Sequence, residues 1–357
     1  MNRTISALTF AAAIGAAAAV HAQEIRLTGA GATFPYPIYS KWVLAYVTVR
    51  PNMQINYQSI GSGGGIRQFS DHTVDFGATD GPMTDSAIAA ISGNVHHIPT
   101  VLGSVVPVYE VPGVTAQLRF TPEVLSGIFL GQITKWNDSR LAAANPAVSL
   151  PDQDIVVVHR SDGSGTTYIF TDYLSKVSPE WQSRVGRGTA VNWPAGLGGR
   201  GNEGVASTVK RTPGAIGYVE LIYATQNRIP YGTVRNRSGN FIEASLASTT
   251  AAAASARFAA NTDFRVSITD APGADAYPIA SFTWLLIPKE ISNAVNGRAL
   301  VEWLWWATHD GQRFCNTLGY ATLPAPVVAL IEARLRTVTS GGRPILPANF
   351  GATARRR

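Results

Sequence analysis

The 357-residue chain is 45% apolar and 9% aromatic and has 34 glycines, which excludes a disordered polymer and allows a core large enough for two lobes. Its formal charge is +6 and its pI near 9.5, yet outside the terminal Arg355-Arg356-Arg357 there is no basic run and no basic–aromatic interleaving, which argues against nucleic acid as a partner. What remains is a diffuse positive field around a cleft, favouring encounter with a small anion.

Arg3, the alanine-rich apolar run from Ile5 to Val20 and the small residues of Val20-His21-Ala22 predict a secretory signal peptide over residues 1–22. The mature chain then starts at Gln23, with no cysteine at the junction to carry a lipid. No later apolar run reaches spanning length, so no direct membrane insertion is expected. Cys315 is the only cysteine; it has no partner for an intramolecular disulfide and reads as a small buried hydrophobe.

In chain order, Glu24 to Thr28 predicts a short strand, followed by the glycine turn Gly29 to Pro35 and a helix with Ile38, Trp42, Ala45 and Tyr46 at helical spacing. The pattern repeats at Gln54 to Gln58, Ser59 to Gly65 and Ile66 to Phe69. Val74 to Ala78 predicts a further strand that ends in Thr79-Asp80, which puts Asp80 at a carboxyl end, where open α/β sheets bind ligands. Val101 to Tyr109 is apolar enough to carry the chain from one lobe to the next, and Thr121-Pro122-Glu123 is a helix start. Ile155 to Val158 leads through His159-Arg160-Ser161-Asp162-Gly163-Ser164-Gly165-Thr166-Thr167 into a helix, again as strand, tight turn and helix. Gly196 to Gly204 is expected as a glycine-rich loop, Gly214 to Val219 as a strand, Ala247 to Ala260 as a helix and Phe282 to Ile287 as a buried strand on the return crossing. Ala299 to Trp306 reads as an apolar helix whose tryptophans serve the core, and residues 346–357 as a flexible tail.

Three glycine-bearing turns that open helices, one acidic strand end and one arginine are the ingredients of an oxyanion site, because helix N-termini supply oriented donors. The candidate donors are Thr33, Phe34, Ser62, Arg160, Ser164, Gly165 and Thr166, with Asp162 placed to hold the Arg160 fork. Taken singly, Thr33 and Ser62 read as helix caps, Asp80 as a cap for a following helix, and Arg160 with Asp162 as a surface ion pair. The shared position of these stretches at strand-to-helix junctions favours one site. Asp80 is the informative member: a carboxylate can accept a hydrogen bond from phosphate, which keeps a proton near neutral pH, but not from sulfate, and a site built on such a bond rejects the unprotonated analogue by roughly 10⁴–10⁵.

Gly29-Ala-Gly-Ala-Thr-Phe-Pro35, Ile60-Gly-Ser-Gly-Gly-Gly65, Val74-Asp-Phe-Gly-Ala-Thr-Asp80 and Arg160-Ser-Asp-Gly-Ser-Gly-Thr166 occur together in this order. With Gly196 to Asn202, Pro213 to Val219 and Tyr320 to Pro324, the chain closely resembles the periplasmic phosphate-binding proteins of high-affinity phosphate ABC transporters. The resemblance implies an α/β fold of type II periplasmic binding protein architecture: two lobes joined by two crossing strands, with dehydrated phosphate in the cleft. The corresponding division is 23–104 and 276–345 for lobe I and 105–275 for lobe II. It also implies a periplasmic monomer with no cofactor and no enzymatic activity that delivers inorganic phosphate to membrane permease subunits. The implied phosphate contacts are Thr33, Phe34, Ser62, Asp80, Arg160, Ser164, Gly165 and Thr166, with Asp162 behind Arg160. The chain departs from the family pattern at Thr79, where a serine is expected, at Gly63, where a second serine is common, and at His159, where relatives often carry arginine.

Two other readings compete. An exported phosphatase would use Ser164 as nucleophile, but Asp162 stands where a Gly-x-Ser-x-Gly elbow needs its first glycine. No His-Glu-x-x-His motif occurs, and His96-His97 would point apart on a strand. The same fold could instead take sulfate, molybdate or phosphonate.

Overall fold

The structure, a computed structural model, describes residues 24–259 and 261–351. The expected signal peptide and the last residues of the tail lie outside the described residues.

Among the described residues, eight strands form the main sheet. They are β1 (Ile25–Gly31), β2 (Met53–Ser59), β3 (Phe76–Thr79), β4 (His96–Glu110), β5 (Val156–Arg160), β6 (Leu197–Gly199), β7 (Ala215–Glu220) and β8 (Ala280–Ile287), in the order β2-β1-β3-β8-β4-β7-β5-β6. The axis of the molecule is β4, a 15-residue strand. Its first part, His96 to Ser104, pairs antiparallel with β8, and its second part, Val105 to Glu110, pairs antiparallel with β7. Outside this centre the pairs β1/β2, β1/β3, β5/β7 and β5/β6 are parallel. Covered on both faces, β4 is buried along its length up to Glu110 rather than at alternate residues.

The chain returns beside β4 at one point: the Val105 N–H donates to the Ile279 carbonyl at 2.8 Å, and Ala280 pairs with Ser104. The two connections between the halves of the sheet therefore lie side by side. Tyr277 adds to this junction by donating from its hydroxyl to the Val105 carbonyl at 2.9 Å.

Helices begin where parallel strands end. Helix α1 (Tyr36–Tyr46) follows β1, α2 (Ser62–Ser70) follows β2, α3 (Gly165–Val177) follows β5 and α4 (Gly201–Arg211) follows β6. Their N-termini consequently gather at the carboxyl edge of the sheet. Helix α5 (Leu221–Asn227) follows β7, and α6 (Ala294–Thr308) buries Trp303, Trp305 and Trp306 in the core, as their spacing predicted. Thr121 caps the helix Pro122–Phe129 through its side chain, also as predicted.

Three expectations are corrected. Gly196 to Gly204 is not a loop: Leu197–Gly199 pairs with Val158 to Arg160 as an edge strand, and Gly201 opens α4. The strand escaped notice because backbone pairing forms it while it offers a single apolar side chain. The alanine-rich helix ends at Ala253 rather than at Ala260, since alanine raises helical propensity but supplies no packing that would hold a longer helix. Residues 346–351 are not frayed: Leu346 is buried, Phe350 meets Trp305 edge-on with ring centroids 5.3 Å apart, and Arg336 donates to the Phe350 carbonyl at 3.3 Å.

Candidate functional site

The turn after β1 is held by its carbonyls. Tyr223 donates from its hydroxyl to the Thr33 carbonyl at 2.5 Å, and Tyr320 donates to the Phe34 carbonyl at 2.6 Å. In a planar trans peptide the N–H points opposite to the carbonyl, so the Phe34 N–H faces away from Tyr223. Both Thr33 and Phe34 are buried.

Helix α2 starts after Gly61, whose φ of 87° is a left-handed value suited to glycine. Ser62 is the first helical residue rather than the cap; its hydroxyl accepts from the Asp80 N–H at 3.2 Å and stands 3.5 Å from Asp80 Oδ2. Asp80, just past β3, is 1% exposed, and its Oδ1 accepts from the Thr283 hydroxyl at 2.7 Å. Burial pushes its carboxyl up to about 7, against the Thr283 hydrogen bond, the Arg160 charge and the Ser62 hydrogen bond. Asp80 caps no helix; Thr84 caps the next one.

Arg160 ends β5 and is buried, and its guanidinium grips Asp162 with a fork, Nε to Oδ1 at 2.7 Å and Nη2 to Oδ2 at 2.5 Å. This is no surface pair: the Arg160 side chain is 1% exposed. Burial works to raise the Asp162 carboxyl, but the Arg160 hydrogen bonds and charge and the Gly201 N–H hold it below the usual range. The fork leaves Arg160 Nη1 directed at the Thr166 hydroxyl, 3.4 Å away.

Ser164 caps α3, its hydroxyl accepting from the Thr167 N–H at 3.0 Å while its own N–H donates to the Thr189 carbonyl at 2.7 Å. Gly165 and Thr166 follow as the first helical residues, whose N–H groups have no intrahelical acceptor. Ser62 at the start of α2 is in the same position.

The two halves of the sheet meet over this set. The Gly63 N–H donates to the Gly163 carbonyl at 2.8 Å, and a Cβ on Gly165 would lie 2.5 Å from both Asp80 Oδ2 and Ser62 Oγ. Thr33, Phe34, Ser62, Asp80, Arg160, Ser164, Gly165 and Thr166 are thus gathered in one buried place. The cap readings of Thr33 and Ser62 do not hold; Ser164 is the residue that caps a helix here.

Three members of the cluster were not singled out from the sequence. Asn202, in the first turn of α4, is fully buried and donates from Nδ2 to the hydroxyls of Thr33 (2.7 Å) and Thr166 (3.1 Å). Thr283 on β8 reaches Asp80, and Tyr223 on α5 holds Thr33. Asn202 had a signal in its position one residue past Gly201 at a helix start; Thr283 had none, because only long-range pairing of β8 with β3 brings it there. His159, where arginine is often expected, stacks on Trp193 with ring centroids 5.0 Å apart and an interplanar angle of 11°.

A profile of the PBP superfamily domain matches residues 16–310. Phosphate-binding protein PstS of Xylella fastidiosa is 45% identical over 312 residues, covering 87% of this chain and 85% of its own length. Its namesake from Methanocaldococcus jannaschii is 36% identical, covering 86% and 84%. The chain belongs to the PstS family of the PBP superfamily. Among solved structures, the phosphate-binding protein from Stenotrophomonas maltophilia superposes with a TM-score of 0.68 at 20% identity, covering 89% of this chain and 96% of that one. An ABC-type phosphate transport receptor from Vibrio cholerae superposes with a TM-score of 0.54 at 18% identity, covering 84% and 100%. These likenesses agree with the type II periplasmic binding protein fold that the sequence led us to expect.

Among the described residues, no helix is long and apolar enough to cross a membrane, and no group of three or more His, Cys, Asp or Glu residues is placed to hold a metal.

Proposed function

We propose that the chain is a periplasmic receptor that binds inorganic phosphate where the two halves of the sheet meet and hands it to the permease subunits of an ABC transporter. One observation carries this reading: a buried carboxylate, Asp80, stands among donors from the turn before α1, two helix starts and a forked guanidinium. Donors alone attract any oxyanion. The single acceptor suits an anion that brings a proton of its own.

In this mechanism the Phe34, Ser62, Gly165 and Thr166 N–H groups, the Thr33, Ser62, Ser164 and Thr166 hydroxyls and Arg160 face the anion's oxygens, Ser164 also holds the start of α3, and Asp162 keeps Arg160 aimed. The lobes divide at 104/105 and 275/276, close to the paired crossings at Val105 and Ile279. Anion binding then bridges the lobes, and the closed form is what the permease meets. The relatives that carry the name phosphate-binding protein support the same ligand.

The protein acts as a binder and not as a hydrolase. Ser164 is engaged as a helix cap, and among the described residues no histidine or carboxylate shares a hydrogen bond with its hydroxyl. Titration of the mature chain with phosphate by calorimetry tests the reading: saturable one-site binding is expected, and no heat of binding would contradict it.

A further inference from the structure

Asn202 joins the two sides of the site, and its amide orientation is fixed. Its Oδ1 accepts from the backbone N–H of Glu220 at 2.9 Å, a group that can only donate, so the other end of the amide is the NH₂. That NH₂ donates to Thr33 Oγ1 and to Thr166 Oγ1. Each of these hydroxyls also accepts a second time, Thr33 from the Asn202 backbone N–H at 3.3 Å and Thr166 from Arg160 Nη1 at 3.4 Å. A hydroxyl has two acceptor lone pairs and one proton. With both lone pairs engaged, each threonine has only its proton left to offer, and no described residue accepts it.

We propose that Asn202 sets the hydrogen-bond polarity of the site: by filling both acceptor positions of Thr33 and, together with Arg160, those of Thr166, it makes both hydroxyls obligate donors, so an anion oxygen carrying a proton is excluded from them and turned towards Asp80. The inference rests on the phosphate reading above and extends it to a residue that need not touch the ligand. Asn202 is a positioning residue. Because Thr33 follows β1 and Thr166 lies in α3, the same amide also ties the two halves together when they meet. Helix α4 contributes at a second point, through the Gly201 N–H that donates to Asp162 Oδ1 at 3.0 Å, so one helix start orients both threonines and the carboxylate behind Arg160.

The test is phosphate titration by calorimetry on the wild type, Asn202→Ala, Asn202→Asp, and each Asn202 state in a Thr33→Val/Thr166→Val background. Asn202→Ala frees both hydroxyls to turn, and a loss of about 10- to 100-fold in affinity is expected from two weakened charge-assisted hydrogen bonds. Asn202→Asp, which keeps the acceptor for Glu220 but turns the donor end into a second acceptor, captures both hydroxyl protons and should bind more weakly than Asn202→Ala. In the valine background, Asn202→Ala should have no further effect, which a purely structural role would not produce. Wild-type affinity in Asn202→Asp, or a full loss on Asn202→Ala without the threonine hydroxyls, overturns the proposal. Should Asn202→Ala fail to melt cooperatively, Asn202→Asp decides by comparison of the two backgrounds: its carboxylate charge weakens binding in both, and an extra loss only where the threonine hydroxyls are present is expected, whereas an equal loss in both overturns the proposal. A wild type that does not bind phosphate at all would refute the phosphate reading itself.

Discussion

Gly165 and Asp80 belong to opposite halves of the sheet, yet a Cβ on Gly165 would lie 2.5 Å from Asp80 Oδ2. The glycine is required by the close approach and not by its backbone angles. Gly165→Ala should hold the halves apart and weaken phosphate binding by at least about 100-fold, equivalent to about 2.7 kcal/mol. Calorimetry gives the affinity, and small-angle scattering should show the variant staying open at saturating phosphate; wild-type affinity would mean that the halves need not meet this closely.

Arg160 is buried, and its fork is matched to Asp162. Removing it deletes the site's one guanidinium and leaves Asp162 without its partner. Arg160→Ala should cost about 2–5 kcal/mol of binding free energy, the range for truncating one member of a buried hydrogen-bonded charge pair. Arg160→Lys should not restore the loss, since a point charge cannot grip Asp162 and face the anion at once. Full recovery with lysine, measured by the same titration, would reduce the arginine to its charge.

The carboxyl of Asp80 also sets a pH dependence of stability. Burial lifts it from 3.8 to about 7, so between these values the folded chain binds more protons than the unfolded one, and stability of the ligand-free protein falls as pH rises through that window. Asp80→Asn keeps an acceptor for Thr283 and removes the titration. In thermal melts without phosphate the variant should gain on the wild type at about pH 8 and lose that advantage at about pH 4. An offset that is the same at both ends would contradict the assignment.

The opposite sign is expected for the paired histidines at the start of β4. Burial, with the Arg265 charge beside it, pushes His97 down from 6.5 to about 3, and burial with nearby Arg334 and Lys289 does the same to His96. The unfolded chain then binds more protons in that window, so the histidines contribute full stability above 6.5 and lose it as pH falls towards 3. His97→Gln retains an acceptor for the Met83 N–H, which His97 Nε2 accepts at 3.2 Å. Its acid melting curve should fall less steeply between about pH 6.5 and pH 4 than that of the wild type; an unchanged slope would show that His97 does not titrate on unfolding.

The parts of the site legible in the sequence were those written locally. Ile155 to Thr167 carries an apolar strand, a glycine turn and a helix start in consecutive residues, so both the elements and their chemistry could be read from one stretch. The same holds for Thr33-Phe34 and for Ser62. Asp80 was placed correctly because Phe76 to Thr79 is short and apolar and ends at the acid. Asn202 stayed hidden because the strand before it, Leu197–Gly199, is held by pairing with β5 and has almost no side-chain pattern. Thr283 sits in an apolar strand where one threonine carries no signal; its meaning comes from a partner some two hundred residues away, with |i−j| of 203 to Asp80. Residues 346–351 were misread for a related reason: glycine, proline and arginine suggest fraying, but Leu346 and Phe350 find a surface on the body.

The central claim is that Asp80, a lone acceptor among donors, makes the site choose an anion by its proton. Calorimetric titration of the wild type with phosphate and with sulfate at neutral pH measures it directly. Phosphate should bind more tightly by about 10⁴-fold or more, and Asp80→Asn should narrow that gap by strengthening sulfate. Sulfate binding as tight as phosphate in the wild type would contradict the account.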